Sequence, residues 1–272
     1  MAATADPRSE FRGSPDRRPP GDVLIEVEHL DAGYDGKAIL DDVNFSIRAG
    51  EVFGILGGSG GGKSTILKHM IGLVPPVAGQ VKFGGVDIVG ADGDELTRIR
   101  RRFGVMYQSG ALFGSMNLLE NVRLPIEVYT DLPEEAMTLV ARMKLALVGL
   151  DAFTGHLPSE ISGGMQKRAG IARAMALDPS ILFLDEPSSG LDPITSATLD
   201  ATVRRLAESL GMTFVIVTHD LPSVFASIDR VILLDRNARG IIAEGDPREL
   251  RDSSPDPRVR AFLRREPEKA AA

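Results

Sequence analysis

Nine consecutive residues concentrate the chemistry of this chain: Gly57-Gly58-Ser59-Gly60-Gly61-Gly62-Lys63-Ser64-Thr65, five of them glycine. They match G-x-x-x-x-G-K-[ST], a loop whose backbone N–H groups converge on phosphate. Glycine lets the backbone curl that tightly and leaves no Cβ in the path of the anion. Lys63 would reach the β- and γ-phosphates, and the Ser64 hydroxyl would ligate Mg²⁺. The competing reading is a flexible turn with a surface lysine. The flanks argue against it: Glu51 to Leu56 reads as a short buried strand, and Thr65 to Leu73 as a helix with Ile66, Met70 and Leu73 on one face. Phosphate would then sit at a helix N-terminus, where unpaired N–H groups and the dipole both favour negative charge.

Holding phosphate is not hydrolysing it, which needs an acid for the metal and a group that activates water. Leu182-Phe183-Leu184-Asp185-Glu186 offers both at a strand end. Asp185 would hold the Mg²⁺ shell and Glu186 would orient and deprotonate water. The four apolar residues from Ile181 aim these carboxylates out of the sheet's C-terminal edge, where ligands bind. A second anion-competent helix end follows Ser162-Gly163-Gly164, before Met165, Ala169, Ala172 and Ala176 in helical register. Taken alone, Ser162 could be an N-cap and the glycines a turn. Within one chain it adds no second phosphate site. It becomes intelligible if it closes over the nucleotide of another copy.

These groups need a scaffold. Val23 to Val27 alternates as a strand, Ile39 to Ile47 suggests another, and Tyr34 falls in a turn-like Gly33-Tyr34-Asp35-Gly36. Gln80–Phe83 and Val86–Ile88 flank Gly84-Gly85 as a hairpin. Arg98, Arg100, Arg101 and Arg102 read as a solvated helix end before the strand Phe103–Tyr107. Leu112 to Leu150 turns helical, with Ala136, Val140, Met143, Leu147 and Leu150 at helical spacing. The apolar runs Ile181–Leu184 and Thr213–Val217, alternating with helices, suggest buried parallel strands. Val231–Leu234 and Gly240–Ala243 give a final pair, and Asp256–Leu263 a short amphipathic stretch.

The totals bound the partners. A net charge of −7 argues against a nucleic-acid footprint. There is no cysteine, hence no disulfide and no thiolate metal site. No apolar run approaches the roughly 18–20 residues that span a bilayer. The first 22 residues are polar, carry four arginines and lack an apolar segment, so they are expected to be a disordered tail rather than a secretory signal. A cytoplasmic protein is the expectation, with any membrane work done by another chain.

In order, the chain shows Tyr34, Gly57–Thr65, Gln108, Ser162-Gly163-Gly164, Asp185-Glu186, Ser189-Gly190-Leu191-Asp192 and Val217-Thr218-His219-Asp220. This series resembles the ATP-binding cassette ATPases over residues 23 to about 247. The resemblance implies an α/β fold: a P-loop ATPase core with a mixed β-sheet, an antiparallel β subdomain and an inserted α-helical subdomain at about 109–178, with a short extension at 248–272. It implies ATP and Mg²⁺ as ligands, held by Gly57, Gly58, Ser59, Gly60, Gly61, Gly62, Lys63, Ser64, Thr65 and Asp185. Tyr34 would stack on adenine. Gln108 would touch metal and water and link the site to the helical subdomain. His219 would sense the γ-phosphate beside the catalytic Glu186. Ser162, Gly163, Gly164 and Met165 would meet the nucleotide of a homodimer partner, and Asp192 would signal across that interface. Ile161 and Met165 depart from the usual residues, but neither change removes a backbone donor or the serine.

Further segments resemble one branch: Gln108-Ser109-Gly110-Ala111-Leu112-Phe113, Met116-Asn117-Leu118-Leu119-Glu120-Asn121-Val122, Ser162-Gly163-Gly164-Met165, Leu191-Asp192-Pro193-Ile194-Thr195 and Asp256-Pro257-Arg258-Val259-Arg260. They are similar to the ATPase subunit of bacterial lipid-asymmetry (Mla) and Mce-type transporters. That resemblance implies phospholipid cargo, an integral-membrane permease dimer, an Mce-domain lipid-binding subunit and a peripheral place on the cytoplasmic face of the inner membrane. Phe113, Met116, Leu118, Leu119, Leu124 and Ile126 would be where a permease helix docks, or would simply pack the helical subdomain. Two other functions compete: an importer ATPase for an amino acid, metal or other solute, and a non-transport cassette ATPase acting on ribosomes or DNA. The single P-loop and the acidic balance speak against the last.

Overall fold

A computed structural model describes residues 21–266. The expected N-terminal tail lies almost wholly outside them. The first sheet is antiparallel, of four strands: β1 (Val23–Tyr34), β2 (Lys37–Arg48), β4 (Ala78–Phe83) and β5 (Val86–Asp87), in the order β2-β1-β4-β5. Asp35-Gly36 closes its first hairpin with both φ angles positive, 50° and 72°, which matches the twist of the flanking strands. Tyr34 is therefore the last residue of a strand rather than part of the turn. Gly84-Gly85 closes the second hairpin.

The second sheet has six strands in the order β10-β9-β3-β8-β7-β6. They are β3 (Val52–Gly57), β6 (Phe103–Met106), β7 (Ile181–Asp185), β8 (Thr213–Val217), β9 (Arg230–Asp235) and β10 (Gly240–Gly245). All neighbours run parallel except the edge pair β9–β10. Its apolar runs are explained by two cores. Val52, Leu56, Leu182, Leu184, Phe214 and Ile216 face a core shared with helices. The alternate residues Phe53, Ile55, Ile181, Phe183, Val215 and Val217 face the core shared with the antiparallel sheet. A strand buried on both faces has no polar side to show.

The helices are α1 (Lys63–Met70), α2 (Gly93–Arg101), α3 (Leu118–Tyr129), α4 (Glu134–Leu147), α5 (Gly163–Ala174), α6 (Pro193–Leu210), α7 (Leu221–Ser227), α8 (Pro247–Ser253) and α9 (Pro257–Arg264). In α4 the buried face is Ala141, Lys144 and Leu145, while Met143, expected inside, is 58% exposed. The helix carries two apolar stripes, and periodicity cannot rank them. Packing on α3 and α5 chooses one and buries Lys144 on Asp178. The arginine run is likewise not a merely solvated end. Arg101 lies over the Tyr129 ring at 5.2 Å, Arg102 over Phe83 at 4.8 Å, and Arg100 donates to the Gly72 carbonyl at 2.6 Å. The expected docking set divides: Leu118 and Ile126 are core residues, whereas Phe113 is half exposed. At the C-terminal end, α9 buries Val259 and Leu263 in the helical-side core.

Candidate functional site

Strand β3 is buried throughout and delivers its last residue, Gly57, to the C-terminal edge of the sheet. The chain turns through Gly60 and Gly62 with φ of 73° and 86°, and a Cβ on Gly62 would stand 2.6 Å from Leu40 Cδ1. Only glycine fits there on both counts. Helix α1 then starts with no side-chain cap, so its first N–H groups stay available to an anion. Lys63 folds back over the loop, donating from Nζ to the carbonyls of Gly57 at 2.9 Å and Gly58 at 3.0 Å. Burial pushes its ammonium below the ordinary lysine range, and the carboxylates of Glu186 and Asp185 partly restore it. Ser64 is exposed at the mouth.

Two strands away, β7 ends in Asp185. Burial first, then the charge of Glu186, raises the Asp185 carboxyl above the usual aspartate range, while Lys68, Lys63 and Lys167 oppose that rise. Its Oδ1 is buried and has no hydrogen-bond partner. An orphaned, buried carboxylate oxygen fits Mg²⁺, which takes one or two carboxylates plus substrate phosphates rather than an all-protein cage. Among the described residues no group of three or more His, Cys, Asp or Glu could hold an ion alone.

Glu186 sits at φ 47°, a conformation costly for a residue with a side chain. Its N–H donates to the Val217 carbonyl at 2.8 Å, which locks the strained turn to β8. Its Oε1 lies 2.7 Å from Nδ1 of His219, at the end of β8. Glu186 is 14% exposed and His219 67% exposed. A sheltered carboxylate held by an outward-facing imidazole could take a proton from a water at the sheet edge.

Gln108 follows β6 and donates from Nε2 to Ser189 Oγ at 3.0 Å. Its loop rests on α5. Lys167, itself buried, donates to the Gln108 carbonyl. Arg173 donates to the carbonyls of Gly110 at 3.2 Å and Ala111 at 2.6 Å. Gly170 approaches so closely that a Cβ there would stand 3.2 Å from the Gly110 carbonyl oxygen. Residues 167, 170 and 173 form one face, so the Gln108 loop is carried by the helix that Ser162 begins. Sequence reading missed Lys167, although a lysine amid the small residues of α5 was a visible signal.

Ser162 caps α5, its Oγ accepting from the Met165 N–H at 3.3 Å. Gly163 is exposed at that end. Gly164 is buried, and a Cβ on it would stand 2.1 Å from Thr195 Cγ2, so it has a packing reason of its own. The Met165 side chain packs on the core. Gln108, Gly163, Lys167, Asp185 and Ser189 border one open cleft of about 680 Å³ on which no P-loop glycine lies. Asp192 caps α6, accepting from the N–H groups of Ile194 at 3.0 Å and Thr195 at 3.1 Å and from Thr195 Oγ1 at 2.6 Å. Those bonds, the hydroxyl's first, hold its carboxyl below the usual range.

Tyr34 stands against α1. Its hydroxyl donates to Thr65 Oγ1 at 3.4 Å, and Lys68 lies 5.6 Å from the ring centre. Below His219, Ser223 donates to Asp220 at 3.0 Å and hydrogen-bonds Ser196 at 3.2 Å. Beside them burial raises the Asp200 carboxyl to about 6, with the Ser223 hydroxyl opposing and the Asp220 charge adding.

The sequence model of the ABC transporter family matches residues 40–189. The chain is 43% identical, over 91% of its length and 71% of the relative's, to a probable ribonucleotide transport ATP-binding protein, mkl, of Mycobacterium leprae. It is 40% identical, over 89% of its length and 91% of the relative's, to the intermembrane phospholipid transport system ATP-binding protein MlaF of Haemophilus influenzae. Among solved structures it resembles a dimeric ATP-binding cassette bound to ADP and phosphate, with a TM-score of 0.73 and 32% identity, over 82% of this chain and 98% of that one.

Proposed function

The chain belongs to the ABC transporter ATPases, and from that premise we propose that it drives phospholipid movement between the inner and outer membranes through a separate permease. ATP binding and hydrolysis coupled to transport come with the family. The orphaned Asp185 oxygen beside a strained, histidine-held Glu186 carries the catalytic reading. The chain's own groups divide the work. The amides from Gly58 to Ser64 and the Lys63 ammonium hold phosphate oxygens. The Ser64 hydroxyl and Asp185 would hold Mg²⁺, which would neutralise phosphate charge. Glu186 accepts the proton of the attacking water while His219 fixes its carboxylate. Tyr34 offers its ring to the base. Gln108, carried by α5, reports the state of the site to the helical segment.

The second half of each site is proposed to come from another copy, through Ser162 and Gly163, with Asp192 at the same interface. That cassettes of this fold form dimers with nucleotide supports this arrangement. Phe113 and the exposed Val128 and Tyr129 of α3 offer apolar surface to a permease helix. Among the described residues no helix is long and apolar enough to cross a membrane. The chain is accordingly proposed to sit peripherally on the cytoplasmic face of the inner membrane, below a permease dimer and an Mce-domain subunit.

The phospholipid reading is supported by the MlaF relative, matched across 91% of its length. The ribonucleotide reading has the slightly higher identity, 43%, over 71% of its relative. Purifying the chain with the membrane complex that it brings, followed by mass spectrometry of bound small molecules, separates them. Enriched phospholipid with a permease supports the proposal, and ribonucleotides other than ATP and ADP, or amino acids, in place of lipid would overturn it.

A further inference from the structure

We propose that His69 is a positioning residue for the base-binding ring: its bare Nε2 ties Gly33, and with it Tyr34, to the helix that begins at the phosphate loop. The inference rests on the reading of Tyr34 as the platform for adenine.

His69 is fully buried, on the last turn of α1. Its Nδ1 lies 2.9 Å from the carbonyl of Val74, which can only accept. The ring proton must therefore be on Nδ1, leaving Nε2 as an acceptor. Nε2 receives the Gly33 N–H at 3.1 Å. The geometry admits a single tautomer, and a second ring proton would point at the Gly33 N–H. Burial agrees, holding the imidazole below its ordinary value of 6.5 although the Val74 carbonyl favours the charged form. The next residue of β1 is Tyr34, whose ring centre is 6.3 Å from that of His69. Gly33 lies tight against β2, where it pairs with Ala38: a Cβ on it would stand 2.0 Å from the Lys37 carbonyl oxygen, so only glycine brings this N–H to the ring. The phosphate-facing and base-facing ends of the site thus come from different sheets. One neutral histidine in the helix between them sets their separation. Lys68 and Thr65 contact the Tyr34 hydroxyl only at 3.4 Å, so they orient the ring less firmly.

The test compares calorimetric binding of magnesium ATP and magnesium tripolyphosphate, whose difference isolates the nucleoside. His69→Gln can present its amide oxygen to Gly33 but loses the donor to Val74. His69→Asn can keep the donor to Val74 but offers Gly33 no acceptor. Each loses one bond, so a merely structural role predicts the same result for both. The positioning role predicts that His69→Asn loses roughly fivefold or more of the preference for ATP, within the range for base–aromatic stacking. It predicts that His69→Gln keeps that preference within about twofold, and that kcat at saturating ATP changes little in either. Equal loss in both, or full preference in His69→Asn, overturns the inference. Tyr34→Ala is measured alongside: unchanged preference there refutes the platform itself, and the inference with it. If His69→Asn does not fold, nitrogen NMR of the wild-type histidines serves. The Nε2 signal of His69 should move with ATP and stay with tripolyphosphate, and an equal response to both overturns the inference.

Discussion

Two helix starts of this molecule are proposed to face phosphate, and they are built on opposite principles. At the edge of the parallel sheet, local structure is left in tension. Helix α1 has no side-chain cap, Asp185 has a buried oxygen without a partner, and Glu186 sits at φ 47°. At the start of α5 the helix is capped and packed: Ser162 caps it, Gly164 lies tight against Thr195, and Met165 packs on the core. Unsatisfied and strained groups persist only where the surroundings hold them, and they collect at functional sites. The tension marks the half of the site that is proposed to perform chemistry. The relaxed end shows by itself only a well-made helix start, and its proposed role needs a second molecule.

The comparison is most exposed to failure at Glu186. Glu186→Gln should reduce ATP turnover by about 10²–10⁴-fold, the usual worth of a general base, with ATP affinity little changed. Near-normal phosphate release would show that the strained carboxylate is not the base. The next effect separates the two ends. Mixing inactive Glu186→Gln chains with inactive Ser162→Arg chains gives heterodimers in which one site carries both defects and the other carries neither. If each site is shared across a two-fold dimer, activity should return to about a quarter of the wild-type rate. No recovery on mixing would place both ends in one chain.

The smallest effect contrasts two aspartates on α6. Asp192 is exposed and its carboxyl is lowered by hydrogen bonds, so its contribution to stability is lost as pH falls. Asp200 is buried and raised from 3.8 to about 6. Between those values the native state holds a proton that the unfolded chain has released, so stability falls as pH rises through the window and stays lower above it. Asp200→Asn should remove that slope, gaining about 1–3 kcal/mol at pH 7 relative to wild type in denaturant titrations. An unchanged pH profile would mean that Asp200 is ionised in the fold.

Much of the architecture was legible because a few patterns have only one structural use. Apolar runs at Ile181–Leu184 and Thr213–Val217, alternating with helices, suggest buried parallel strands and form them, and Asp35-Gly36 and Gly84-Gly85 are hairpin turns by conformation. Helix register was less legible. Leu139 and Met143 are as apolar as the residues that α4 buries, and both are exposed. The arginines at 100–102 carry no local sign of the rings and carbonyl they meet, since Tyr129 and Gly72 are close only in the fold.

The sequence alone determined the phosphate loop, because glycine at fixed positions states a backbone path that other residues cannot follow. It also located the acid pair, since an apolar strand fixes which edge its last residues reach. Tertiary structure alone decided which partners those groups have. Lys167 beneath the Gln108 loop and His69 on Gly33 join segments 59 and 36 residues apart. Such contacts come from stacking one sheet on another and laying helices across them. A histidine's proton, a lysine's burial or a carboxylate's orphaned oxygen is a property of that packing, and no residue carries it in its name.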